Sequence, residues 1–132
     1  MPHIWVEYSA NIEKEIDVPQ LLETVQKALI DDGSVFPFAG ARTRGVRVDN
    51  YLIVDGHPDN AFVHVLLRIA SGRSEADRKA AGDRVFSNVK DYLSQLMSRR
   101  PLGLSVQMEE SDAAVNLKTS NYRDYLKLRA AG

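Results

Sequence analysis

Cysteine is absent from this 132-residue sequence, which excludes disulfides, thiol nucleophiles and thiolate metal sites together. Long apolar runs are missing too. No window approaches the roughly 18 apolar residues of a membrane span, and the start MPHIWVEYS lacks a basic stretch followed by a long apolar one. A cytoplasmic protein with no membrane partner is the expectation. Neither sign of charge dominates: seventeen basic residues face eighteen acidic ones for a net charge of -1, so nothing global attracts nucleic acid. Any anion must be bound locally. His3, His57 and His64 do not stand at metal-ligand spacing with carboxylates, and no HExxH or DxDxDG pattern occurs. Gly40, Gly45 and Gly72 form neither a GxGxxG nor a phosphate loop. No metal and no cofactor is expected.

What is present suits one globular α/β domain over 1–132, at 44% hydrophobic and 27% charged residues. Ile4, Val6 and Tyr8 alternate along a strand from His3 to Tyr8, with Trp5 on its other face. Val18, Leu21, Leu22, Val25 and Leu29 recur at helical spacing, with Asp17 and Gln20 as a capping box and Gly33 as a stop. After the turn-rich GSVFPFAGA, residues Arg42 to Val54 read as a second strand, ended by Asp55 to Pro58. The second half repeats this order. Ala61 to Ile69 is a dense apolar strand. Ser74 caps a longer helix with Val85, Val89, Tyr92, Leu93 and Leu96 as its buried stripe, and Pro101 ends it. Leu102, Leu104, Val106 and Met108 then alternate with polar residues along a fourth strand. The pseudo-repeats cover about 2–55 and 60–111, and the tail 112–132 carries a short helical turn around Tyr122, Tyr125 and Leu126, suited to docking on the body or on a neighbouring subunit.

A β-α-β-β-α-β order permits a ferredoxin-like antiparallel sandwich or two right-handed parallel β-α-β units side by side in one four-stranded sheet covered by two helices. Periodicity does not separate them. Either way two helices cover one sheet face only, and strands with apolar residues on both sides point to an oligomer.

Chemistry concentrates at the start. Removal of Met1 from Met-Pro would expose the secondary amine of Pro2; in an apolar pocket beside cations such an amine loses its proton more easily and becomes a general base at neutral pH. A Met-Pro start alone is weak support, since proline is common after an initiator. Arg42 in FAGARTR and Arg73 in ASGRS, just before the second helix, offer guanidinium forks for a di- or tricarboxylate. The competing reading has Arg73 capping or salt-bridging and Arg42, with Arg44 and Arg47, on a solvated strand edge. His3 is a pocket-lining candidate by its nearness to Pro2. His57 suits a turn and His64 a strand, packed or bridged through its ring.

The start PHIWVEYSANI, the loop FPFAGARTR, the stretch DNAFVHVLLRIASGRS and the late NLK together resemble the 5-carboxymethyl-2-hydroxymuconate isomerase family, in the same order and at similar separations. The resemblance implies the tautomerase fold, a fused tandem of two β-α-β units assembled as a homotrimer, and a cofactor-independent isomerase of aromatic catabolism. It implies that Pro2 takes a proton from a dienol and returns it at a distant carbon, giving the oxo form, while Arg42 and Arg73 bind substrate carboxylates. The second repeat begins inside the chain and has no free amine, so one site per chain is expected. A related decarboxylase, dehalogenase or phenylpyruvate tautomerase reaction would use the same residues. A non-catalytic ferredoxin-like binding module is the alternative outside enzymes, and topology discriminates between the two classes.

Overall fold

The computed structural model describes residues 1–132, in which four strands form one mixed sheet in the order β2-β1-β3-β4. Strand β1 (His3–Ser9) pairs parallel with β2 (Arg42–Val48), and β3 (Ala61–Ile69) parallel with β4 (Leu102–Glu110). The central pair, β1 and β3, is antiparallel, with Ile4 opposite Leu67 and Val6 opposite Val65. Adjacent parallel partners within each β-α-β unit exclude the ferredoxin-like sandwich, in which neighbouring strands all run antiparallel.

The crossover helices are α1 (Val18–Ile30) and α2 (Glu75–Met97). Asp17 accepts the amide of Gln20 at 3.1 Å and Ser74 that of Asp77 at 3.0 Å, so each helix begins where a side-chain oxygen satisfies an orphan donor. Helix α1 ends at Ile30, earlier than the expected stop at Gly33: Asp31 turns the chain at φ 54°. Arg84 of α2 donates to the carbonyls of Ala28 (2.8 Å) and Leu29 (3.2 Å), capping α1 from its neighbour. At the other end the Tyr92 hydroxyl donates to the Asp17 carbonyl at 3.0 Å, so this residue of the expected stripe packs as a tie between helices.

One cluster of 19 buried residues joins Ile4, Val6 and Tyr8 of β1 to the alternate residues of β3 and to the apolar stripes of both helices. The opposite sheet face has no covering layer in the chain. There His3, Trp5 and Glu7 stand half-exposed on β1, with Phe62, His64 and Leu66 half-exposed on β3.

Three features depart from the sequence expectation. Strand β2 stops at Val48 and not at Val54, because β1 ends at Ser9, the partner of Val48, and offers nothing beyond it. Leu52 and Val54 consequently lie 85% and 94% exposed. A 3-10 turn (Ala10–Glu15) follows β1, with Ile12 plugged into the core. The tail helix is longer than one turn, α3 (Tyr122–Ala131), and buries no residue. No helix is long and apolar enough to cross a membrane.

Candidate active site

The starts of β1 and β2 and the end of β3 meet at one edge of the sheet, where His3 is opposite both Arg42 and Arg68. The Arg42 amide donates to the Pro2 carbonyl at 3.1 Å, extending the β1–β2 ladder to the second residue. A 3-10 turn (Phe38–Gly40) then passes close over Pro2. A Cβ built on Gly40 would stand 3.3 Å from Pro2 Cδ and from Met1 Cα, so glycine is what permits this approach.

A cavity of about 390 Å³ opens here, lined by Met1, Pro2, residues of the 37–40 turn, Ala70 and Arg73 after β3, and Lys118 to Asn121, Arg123 and Asp124 of the tail. Pro2 is buried and Met1 half-buried. Burial, followed by the positive charges of Lys118, Arg73 and Arg42, lowers the pKa of the terminal amine on Met1 from 8.0 to about 6. Both causes disfavour an added proton. While Met1 is attached, the Pro2 nitrogen is a tertiary amide and has no basicity.

Arg73 is held from three sides. Its Nε donates to the Val35 carbonyl and its Nη1 to the Ala70 carbonyl, each at 3.2 Å, and its guanidinium lies 4.4 Å over the Phe36 ring. Arg42 donates through Nη1 to Met1 Sδ at 3.0 Å and to the Gly40 carbonyl at 3.3 Å, and stacks at 4.9 Å over Tyr122. It borders the adjoining recess beside Tyr122 and does not line the main cavity. Neither guanidinium pairs with a carboxylate, whereas Arg47 takes Glu13 at 2.7 Å and Asp49 at 3.0 Å. The solvated-edge reading thus fits Arg47, whereas Arg42, Arg44 and Arg73 form no ion pair.

His3 does not line the cavity, contrary to expectation. Strand alternation turns its ring to the open face, where Nδ1 accepts from Arg44 Nη2 at 2.7 Å and the ring stacks on Trp5 at 5.9 Å. Burial and the adjacent Arg44 and Arg42 charges lower its pKa. Trp5 also receives the guanidinium groups of Arg44 (4.4 Å) and Arg68 (4.8 Å). His57 closes its turn by accepting the Asp59 amide at 3.1 Å, and His64 bridges to Ser105 at 2.6 Å.

Sequence reasoning missed Lys118 and Arg123. The motif NLK is part of the family resemblance, but nothing local indicates that an irregular tail returns to the first strand. The pseudo-symmetric end of the sheet holds no comparable cavity chemistry: Asn60 precedes β3 as Pro2 precedes β1, within the chain. Arg100 there pairs with Glu15 and donates to the Asp59 carbonyl at 2.7 Å. Asn11 donates to the Asn60 carbonyl at 2.7 Å.

The sequence model of the family described as CHMI, 5-carboxymethyl-2-hydroxymuconate isomerase, matches residues 2–126. A 5-carboxymethyl-2-hydroxymuconate Delta-isomerase of Escherichia coli is 40% identical over 127 residues, 96% of this chain and all of that one. The crystal structure of a 5-carboxymethyl-2-hydroxymuconate isomerase from Deinococcus radiodurans R1 superposes with a TM-score of 0.89 at 32% identity, over 95% of this chain and 93% of the other. A second 5-carboxymethyl-2-hydroxymuconate delta-isomerase structure gives 0.86 at 27% identity, over 96% and 93%. The paired parallel β-α-β units are the tautomerase fold in these proteins and in this chain.

Proposed function

This chain belongs to the 5-carboxymethyl-2-hydroxymuconate isomerase family, and on that premise we propose that it converts 5-carboxymethyl-2-hydroxymuconate to its oxo isomer through the amine of Pro2. The substrate is a dienol bearing three carboxylates. Once Met1 is removed, the neutral amine takes the proton of the 2-hydroxyl, the electrons shift along the diene, and the ammonium returns the proton at a distant carbon. One O–H bond breaks and one C–H bond forms, with no net gain or loss.

The observation that carries this reading is a chain start seated in a cavity whose cations exceed its acids, with Pro2 buried, where burial and the charges of Lys118, Arg73 and Arg42 already lower the pKa of the amine on Met1. The same burial and cations act on the Pro2 amine once Met1 is off and favour its neutral form, which is the state a general base needs. Arg73 in the cavity and Arg42 beside it would bind substrate carboxylates and stabilise the negative charge that develops on the dienolate. We read the chain as a single unit with one site and its working form as a cytoplasmic homotrimer. The open sheet face and the exposed tail helix support assembly, since three copies can cover surfaces that one chain leaves bare.

Mass analysis of the terminus, together with loss of dienol absorbance on 5-carboxymethyl-2-hydroxymuconate, tests the mechanism. Pro2→Ala is expected to lose about 10²- to 10⁴-fold in kcat, the range of general-base catalysis. An undiminished rate in Pro2→Ala, or full activity in a chain that retains Met1, would overturn the assignment.

A further inference from the structure

Two arginines and three substrate carboxylates leave one anion without a partner. The tail supplies the remaining cations: Lys118 and Arg123 line the same cavity as Pro2 and Arg73, and neither engages in an ion pair. Asp124 is the one carboxylate on the lining and it too has no ion-pair partner. Charges on a solvated tail would be expected to point outward. Lys118 and Arg123 are exposed, as Leu117 is at 91%, and they nevertheless line the cavity, where the charge of Lys118 reaches the amine of Met1. Stacking of Tyr122 on Arg42 at 4.9 Å ties the segment to the start of β2, so the presentation of Lys118 and Arg123 follows from a contact with the site itself.

We propose that Lys118 and Arg123 form a second cationic pole that holds the third carboxylate, making the tail the element that selects a tricarboxylate over a dicarboxylate. The inference rests on the isomerase reading above. The carboxymethyl arm is what distinguishes 5-carboxymethyl-2-hydroxymuconate from 2-hydroxymuconate, and a site with only Arg42 and Arg73 has no charge-based means of telling them apart. A third carboxylate gains charge-assisted contacts with Lys118 and Arg123 that the smaller diacid has no group to make. Binding through such a non-reacting arm also orients the dienol against the amine.

The test compares kcat/KM for 5-carboxymethyl-2-hydroxymuconate and for 2-hydroxymuconate in wild type, Lys118→Met and Arg123→Gln. Each protein carries a free Pro2 terminus verified by mass, and rates are taken well above the pKa of the amine. Working there removes the effect of Lys118 on the protonation of the base. Using the ratio of the two substrates cancels any difference in active fraction. Loss of one charge-assisted contact is expected to lower the triacid/diacid ratio by about 10- to 100-fold in each variant. A ratio unchanged in both variants, with wild type active on the triacid, would overturn the specificity role alone. Inability of wild type to isomerise either compound, or full activity of Pro2→Ala, would overturn the isomerase reading and this inference with it.

Discussion

At the scale of single residues, catalysis is proposed to depend on an amine whose surroundings decide its protonation. A base must be neutral, and the protonated fraction falls as pH rises, so kcat/KM is expected to climb with pH and level off above an inflection below the ordinary 8.0 of a terminal amine, the direction in which burial and the nearby cations shift the amine on Met1. Lys118→Met, by removing a neighbouring positive charge, should move that inflection upward; pH-rate profiles of the two proteins check the sign. Gly40 acts through space. A side chain there meets Pro2 Cδ at 3.3 Å or closer, and a displacement of the reacting group is felt strongly in rate. Gly40→Val is expected to lose about 10-fold or more in kcat with an unaltered far-UV spectrum, measured side by side.

Elements place these residues, and their termini do most of that placing. Helix α2 starts immediately after Arg73, and its Ser74 cap fixes where the loop ends and the helix begins. Asp17 does the same for α1 and is braced by Tyr92. Asp17→Ala should cost about 1 kcal/mol, the usual worth of an N-cap, read as a lower urea midpoint with an unchanged slope. Arg73→Ala is different in kind: it frees the Val35 and Ala70 carbonyls at the edge of the cavity, and it removes the proposed carboxylate contact, so KM should rise along with a fall in kcat. Strand length also follows a simple rule. Residues 49–54 have strand composition, yet they leave the sheet because β1 has no residue left to pair with them.

For the whole molecule, one layer of helices on one face of a four-stranded sheet leaves the other face to solvent or to further copies. Phe62 and Leu66 of β3 and Trp5 of β1 lie on that face, and apolar side chains there gain from being covered. Sedimentation or native mass measurement is expected to give three chains. Leu66→Glu, which puts a charge into that surface, should shift the population toward one chain while preserving helix content; a wild-type monomer would contradict the assembly.

Much was legible without coordinates. Alternation in IWVEY and FVHVLLRI, the helical spacing of Val85, Val89, Leu93 and Leu96, and the caps at Asp17 and Ser74 are local signals, and all of them describe elements that formed. Pro2, Arg42 and Arg73 have the chemistry of a terminal amine and of guanidinium groups, but it is the family resemblance, and not their spacing, that sets them above a bland start and a solvated edge. Pairing is not local. Whether β2 lies parallel beside β1, where it stops, and that the turn around Gly40 closes over Pro2 depend on backbone partners dozens of residues away. The same holds for the side chains: one step of strand alternation sends His3 away from Pro2, its immediate neighbour, while the tail brings Lys118 to it. Sequence determined which groups can react with an anionic dienol, because that is a property of the residues; tertiary structure decided which of them share a cavity, because burial and charge act across space and not along the chain.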